Sequence, residues 1–254
     1  MKTSFDVLLT PAEFARLRGR DLSQSACVVF DILRATSTMI TALANGAAAI
    51  LPVAEISDAL SIRKERPEVL LAGEREGLRI LSSSAGGVDF DLGNSPREFT
   101  PERVQDKTIV MTTTNGTRAL QACAHANTVL VGSFLNLSSV AQWIQTRVPS
   151  ILVLVCAGTV DECSLEDTLA AGALCDLIWP IYGNGQVADS ASVARQVYRT
   201  MQNDLLGAMQ QARNGRRLLG IAELAGDVPA CLQRNTLPFV AALQTDGAIR
   251  RVSE

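Results

Sequence analysis

Val28-Val29-Phe30-Asp31-Ile32-Leu33-Arg34-Ala35-Thr36-Ser37-Thr38 joins an apolar run to an acid, an arginine and three hydroxyls within a few residues. Ala26 to Phe30 is apolar and β-branched enough for a buried strand, while Ala35 to Ala49, rich in alanine and threonine, reads as a helix. Asp31 then stands at the carboxyl edge of a strand. In open α/β sheets that edge is where ligands bind, and the helix start adds unpaired N–H groups and the positive end of a dipole. A carboxylate there suits Mg²⁺, and an arginine suits phosphate. The plainer reading makes Asp31 a helix cap and sends Arg34 into solvent. What separates the two is whether other strands end in the same way.

Strand-like runs recur near Phe5 to Leu9, Ala48 to Val53, Val69 to Ala72, Thr108 to Met111, Thr128 to Val131, Ile151 to Val155 and Leu237 to Leu243, with helical stretches between most of them. Such alternation predicts an α/β fold of three layers, α/β/α, with a mainly parallel or mixed sheet covered on both faces. From Asp189 to Leu232 the pattern turns helical, with Val193, Val197, Met201, Leu205 and Leu206 at helix-like spacing. Residues 1–254 read as a single domain. Val28 to Leu51 and Val110 to Val131 share an order of apolar strand, polar turn with arginine, alanine-rich helix and apolar strand, offset by about eighty residues. Taken as a duplication, that echo gives two similar lobes, about 1–100 and 101–254, with the site between them.

The totals narrow the function classes. A chain of 254 residues, 47% hydrophobic and 19% charged, buries a large core. A net charge of −3 and a pI near 5.3 argue against a nucleic-acid surface, so an anionic small molecule needs locally placed arginines. Met1 to Asp6 meets an acid before any apolar run, and runs such as Ile151 to Ala157 are too short to cross a bilayer; the expectation is a cytoplasmic protein without membrane partners, with room for a homo-oligomer. The six cysteines contain no C-x-x-C pair, so structural zinc and a disulfide framework are not expected. His125 is the only histidine, which removes a three-histidine zinc site and leaves acid chemistry to carboxylates and metal.

Four further segments carry candidate chemistry, three of them just past strands. Gly73-Glu74-Arg75-Glu76-Gly77 again sets an acid and an arginine past a strand, with glycines that admit a ligand close to the backbone. Phe90-Asp91-Leu92-Gly93-Asn94-Ser95-Pro96 ends in a cap and a proline at the next helical turn, and capping alone accounts for Asn94 and Ser95. Thr112-Thr113-Thr114-Asn115-Gly116-Thr117-Arg118 combines hydroxyls, a glycine and a helix start into a phosphate cradle, with Arg118 as a planar donor. Cys156-Ala157-Gly158-Thr159 precedes Glu166 and Asp167, acids that favour a helix start in their own right. Position 162 is glutamate, so Cys156 lacks the arginine of a C-x5-R phosphatase loop.

Together, Asp31 to Thr38, Ala72 to Gly77, Phe90 to Pro96, Thr112 to Ala119 and Cys156 to Asp167 resemble the motifs of the 2-phosphosulfolactate phosphatase family in their order. The resemblance covers Ala26 to about Gly172. It implies a Mg²⁺-dependent phosphatase that converts 2-phospho-3-sulfolactate, or a similar phosphorylated hydroxy acid, to sulfolactate and phosphate, a step associated with coenzyme M synthesis. Three acidic groups on that substrate give a reason for Arg34, Arg75, Arg97 and Arg118 to converge. On this reading the catalytic group is Asp31, Arg34, Glu74 and Asn115. Asp31 and Glu74 hold Mg²⁺, with Glu166 or Asp167 as a further ligand. Substrate contacts fall to Arg34, Thr36, Arg75, Asn94 and Ser95, to Thr113, Thr114, Asn115, Gly116, Thr117 and Arg118, and to Gly158. Attack by water and attack by a carboxylate both stay open. Two other readings are kept: a haloacid-dehalogenase-type phosphatase with Asp31 as nucleophile, although Leu33 stands where that family expects a second aspartate, and a binder of phosphorylated metabolites without turnover.

Overall fold

The computed structural model describes residues 3–83 and 85–252. Among them, eleven strands form one sheet: β1 (Ser4–Leu8), β2 (Ser25–Phe30), β3 (Ala49–Pro52), β4 (Leu70–Arg75), β5 (Leu78–Arg79), β6 (Thr108–Thr112), β7 (Thr128–Gly132), β8 (Ile151–Cys156), β9 (Gln186–Val187), β10 (Ala241–Leu243) and β11 (Ile249–Arg251). The order across it is β5-β4-β6-β3-β11-β10-β7-β2-β8-β1-β9. β7, β2, β8, β1 and β9 run parallel to one another, as do β4, β6 and β3. The β10–β11 hairpin joins the two sets through three antiparallel pairings, so the sets point in opposite directions.

Helices cover both faces: α1 (Ala15–Arg18), α2 (Ala35–Ala44), α3 (Ile56–Glu65), α4 (Pro101–Val104), α5 (Gly116–Ala122), α6 (Leu137–Arg147), α7 (Leu165–Tyr182), α8 (Asp189–Met201), α9 (Leu205–Gln211), α10 (Arg213–Leu219), α11 (Ala222–Ala225) and α12 (Asp227–Cys231). The strand period of two does the sorting. From β2, Ala26, Val28 and Phe30 enter a core with side chains of α6 to α10 and α12, while Cys27 and Val29 enter the opposite core with α1, α2 and α5. A smaller cluster of Val69, Leu71 and Val110 is closed by Ala59 of α3 and by Ile80, Ala85 and Phe90. The three-layer α/β/α architecture with a mixed sheet and a helical C-terminal region is the one the sequence predicts.

One boundary and one burial pattern differ from expectation for physical reasons. α2 stops at Ala44 instead of running to Ala49, because Asn45 and Gly46 end it: Gly46 adopts φ +91°, and the Ala47 N–H donates back to the Ala42 carbonyl at 3.0 Å. α8 buries Ala191 and Ala194 and leaves Val193 half exposed, because small residues let it approach α7 closely at Gly172.

The two crossovers β2-α2-β3 and β6-α5-β7 each leave one parallel set and enter the other. The six strands β6-β3-β11-β10-β7-β2 keep their order when β2 exchanges with β6, β3 with β7 and β10 with β11. The sheet itself is continuous, with β1 and β2 in one parallel set and β3 and β4 in the other. No helix among the described residues is long and apolar enough to cross a membrane.

Candidate active site

Asp31 ends β2, and the turn after it is tied by its own hydroxyls. Thr36 Oγ1 accepts the Asp31 N–H and donates to the Asp31 carbonyl, both at 3.0 Å; Ser37 donates to the Ile32 carbonyl at 2.9 Å; Thr38 donates to the Asn94 carbonyl at 2.9 Å. Asp31 Oδ1 accepts the Ala35 N–H at 3.1 Å, so the carboxylate does cap the helix start while also lining a cavity. Gly116 lets the α5 turn meet this one: a side chain there would put its Cβ 2.7 Å from Asp31 Oδ2 and 2.8 Å from Ala35 Cβ.

Glu74, at the end of β4, joins three segments. Its Oε1 accepts from the Thr114 N–H at 2.8 Å and the Thr114 hydroxyl at 2.9 Å, and its Oε2 from the Gly77 N–H at 2.7 Å. Arg75 donates to the carbonyls of Glu74 and Ala54 and to the Thr112 hydroxyl. Arg34 is not in solvent. It is 3% exposed, donates from NH1 to Asp227 Oδ2 at 2.6 Å and from NH2 to the Gly77 carbonyl at 2.6 Å. Fully buried Asp227 also accepts from the Ser95 hydroxyl at 2.6 Å and from Arg97 Nε at 2.9 Å. Two of the five N–H groups of Arg34 are thereby used.

A second acid pair sits behind Asp31. Asp167 accepts the Ile32 N–H at 2.8 Å and the Gly158 N–H at 3.0 Å, tying the ends of β2 and β8 together. Glu166 Oε1 accepts from Asn214 Nδ2 at 2.6 Å. Burial raises Asp31 to about 7, with the charges of Glu74 and Glu166 pushing the same way. Burial likewise raises Glu166, and burial together with the charges of Asp31 and Glu166 lifts Asp167 well above the usual carboxylate range.

The cavity has a volume of about 390 Å³, within the range of small-molecule sites. Of the residues expected from sequence, it brings together Asp31, Arg34, Glu74, Arg75, Asn94, Thr114 and Asn115. The others lie outside the lining. Thr36 is spent on the Asp31 turn and Ser95 on Asp227. Thr113 and Thr117 bond each other across the first turn of α5, through Thr117 N–H to Thr113 Oγ1 and Thr117 Oγ1 to the Thr113 carbonyl. The Gly158 N–H is occupied by Asp167, and Gly116 serves as the point of contact with Asp31. Arg118 is exposed and away from the cavity, because α5 buries Gly116, Thr117, Ala119 and Leu120 and thereby turns position 118 outward. Glu166 is buried beside the cavity rather than lining it.

The C-terminal third supplies the opposite wall: Asn214, Arg217 and Leu218 of α10, with Ile221 and Leu224. Sequence reasoning missed these and Asp227, which lie in helical sequence without a strand-end motif. The basic cluster Arg213, Arg216 and Arg217 was the one visible signal there.

Among the described residues, no three side chains of the histidine, cysteine, aspartate and glutamate types stand close enough to hold an ion by themselves. The donor set nevertheless fits Mg²⁺. Asn94 Oδ1, Asn115 Oδ1 and Glu166 Oε2 are buried oxygens without a hydrogen-bond partner, beside the Asp31 and Glu74 carboxylates. Mg²⁺ takes oxygen ligands, uses one or two carboxylates and completes its octahedron with water and substrate oxygens.

An α/β sheet whose strand ends gather carboxylates and arginines around one small cavity is the frame of a phosphoric monoester hydrolase. The chain belongs to the 2-phosphosulpholactate phosphatase family, whose model matches residues 13–246. It is 38% identical over 247 residues to a probable 2-phosphosulfolactate phosphatase of Caldanaerobacter subterraneus subsp. tengcongensis, covering 96% of this chain and 97% of that one. Proteins of the same description from Caldicellulosiruptor saccharolyticus (38% over 237 residues, 92% and 95% covered) and Thermotoga maritima (34% over 238 residues, 94% of each) are also similar to it.

Proposed function

We propose that this chain hydrolyses 2-phospho-3-sulfolactate, or a closely similar phosphorylated hydroxy acid, to the free hydroxy acid and phosphate with Mg²⁺ as cofactor. The observation that carries the reading is the lining of the cavity, which sets the carboxylates of Asp31 and Glu74 among the guanidinium groups of Arg34, Arg75 and Arg217. Carboxylates beside a phosphate cost energy unless a cation lies between them, which favours a metal-assisted phosphatase over a pure anion binder. Asp31 and Glu74 would hold the ion, and the unpartnered oxygens of Asn94 and Asn115 on the same lining would serve its bound water or substrate. When bound, Mg²⁺ neutralises phosphoryl charge and lowers the pKa of bound water. Arg34, fixed by Asp227 and Gly77, presents its remaining N–H groups to the phosphoryl oxygens as charge moves to the leaving oxygen. Asn115 and Thr114 border the same space. The reaction is proposed to run in the cytoplasm, as a step associated with coenzyme M synthesis. Phosphate release from a panel of phosphorylated hydroxy acids, with and without Mg²⁺, tests the reading. Metal-dependent turnover fastest on phosphosulfolactate supports it, and binding without release from any member of the panel refutes it.

A further inference from the structure

The β4–β5 turn is gripped from both sides of the cavity. Glu76 and Gly77 take φ values of +54° and +77°, and their consecutive carbonyls each accept from a different arginine: Gly77 from Arg34 NH2 at 2.6 Å, and Glu76 from Arg217 NH2. Two guanidinium groups are therefore held on neighbouring peptide oxygens, and both line the cavity. Like charges held this close oppose each other unless an anion lies between or beside them. The protein supplies part of that anion through Asp227, yet Asp227 pairs with both Arg34 and Arg97. Arg217 forms no ion pair with any described carboxylate, and its hydrogen bond to Glu76 is to a neutral carbonyl. Its neighbours on α10 are committed elsewhere: Arg213 to Glu162 at 2.6 Å, Asn214 to Glu166, and Arg216 to the Gln211 carbonyl.

The geometry points to Arg217 as a specificity-determining residue that binds the sulfonate of the substrate, beside the Arg34 that serves the phosphoryl group. The inference rests on the functional reading above and adds the group by which one phosphorylated hydroxy acid is told from another. A sulfonate is ionised at every working pH and offers three equivalent oxygens to accept from Arg217, while the phosphoryl group takes the free N–H groups of Arg34 and the site of Asp31 and Glu74. Leu218, Ile221 and Leu224 line the same wall.

The experiment compares kcat/KM for 2-phospho-3-sulfolactate with that for 2-phospholactate, which lacks the sulfonate, in the parent, in Arg217→Ala and in Arg216→Ala. Charge-assisted hydrogen bonds of this kind support a 30- to 100-fold fall in the ratio of the two kcat/KM values in Arg217→Ala, expressed mainly in KM, or about 2 to 2.7 kcal/mol. Arg216→Ala, on the same helix but outside the cavity, leaves the ratio at the parent value. A ratio that stays within threefold of the parent in Arg217→Ala overturns the inference, whatever happens to the absolute rates. Calorimetric binding of sulfolactate and of lactate provides a readout independent of turnover. If the parent fails to cleave phosphosulfolactate, the functional reading falls, and calorimetry still decides Arg217: loss of the preference for sulfolactate over lactate in Arg217→Ala supports the sulfonate contact, and equal preference in both proteins, or none in either, refutes it.

Discussion

Asp31→Asn separates the two duties of this side chain, because asparagine keeps the oxygen that accepts from the Ala35 N–H and discards the charge. The carboxylate titrates near 3.8 in an unfolded chain and is raised to about 7 in the folded protein, where burial and the charges of Glu74 and Glu166 disfavour ionisation. The folded state therefore holds this proton more tightly than the unfolded state. The group's contribution to stability is most favourable below pH 4, falls as pH rises toward 7, and is lowest above it. At about 1.4 kcal/mol for each pH unit of that window, the full cost approaches ~4 kcal/mol. In chelator, urea denaturation should find Asp31→Asn close to the parent at pH 4 and more stable than it by up to ~4 kcal/mol at pH 8. Phosphatase turnover should be lost over the whole range. A stability difference that does not change between pH 4 and pH 8, or a variant weaker than the parent at pH 8, would refute the electrostatic argument; near-normal turnover would reduce Asp31 to a helix cap.

Exhaustive chelation should abolish phosphate release and Mg²⁺ should restore it, and full turnover in metal-free protein would exclude the cofactor. Asp227→Ala strips the 3%-exposed Arg34 of its counter-ion and should cost about 3–5 kcal/mol in urea denaturation, with activity falling alongside; a loss below ~1 kcal/mol would show that water reaches Arg34 and screens it. Arg34→Lys keeps the charge but cannot hold Asp227 and the Gly77 carbonyl in one planar fork, so kcat/KM should drop by a factor equivalent to ~2 kcal/mol, and parent-like kinetics would remove Arg34 from the site. Arg118→Ala, on the exposed face of α5, should leave rates within twofold, and a tenfold fall would place it at the substrate after all.

The strands were legible because a parallel sheet covered on both faces writes its core strands as short apolar runs, and β2, β6 and β8 begin and end within a residue of where that pattern puts them. The β10–β11 hairpin was only half visible. Three residues of Ala241–Leu243 and three of Ile249–Arg251 carry little local signal, and their place between β7 and β3 is decided by pairing across more than a hundred residues of sequence. The site divides in the same way. Asp31, Glu74 and Asn115 announce themselves by standing just past strands, whereas Asp227 is one acid in a short helix and acquires meaning only from Arg34, 193 residues away.

Hydroxyl-rich turns misled in an instructive direction. Thr36, Ser37, Thr113 and Thr117 have the composition of a phosphate cradle, yet each spends its hydroxyl on backbone groups of its own turn. Their contribution is rigidity. By fixing the ends of β2 and β6 they hold Asp31, Thr114 and Asn115 around one cavity against the mutual repulsion of four buried acids, Asp31, Glu74, Glu166 and Asp167. A turn satisfied by its own hydroxyls can carry an electrostatically costly carboxylate without relaxing away from it, whereas a turn that reserved those hydroxyls for substrate would lose its ties whenever substrate left. The chemistry then falls to the groups left incompletely paired: the free oxygens of Asn94, Asn115 and Glu166, the spare N–H groups of Arg34, and Arg217.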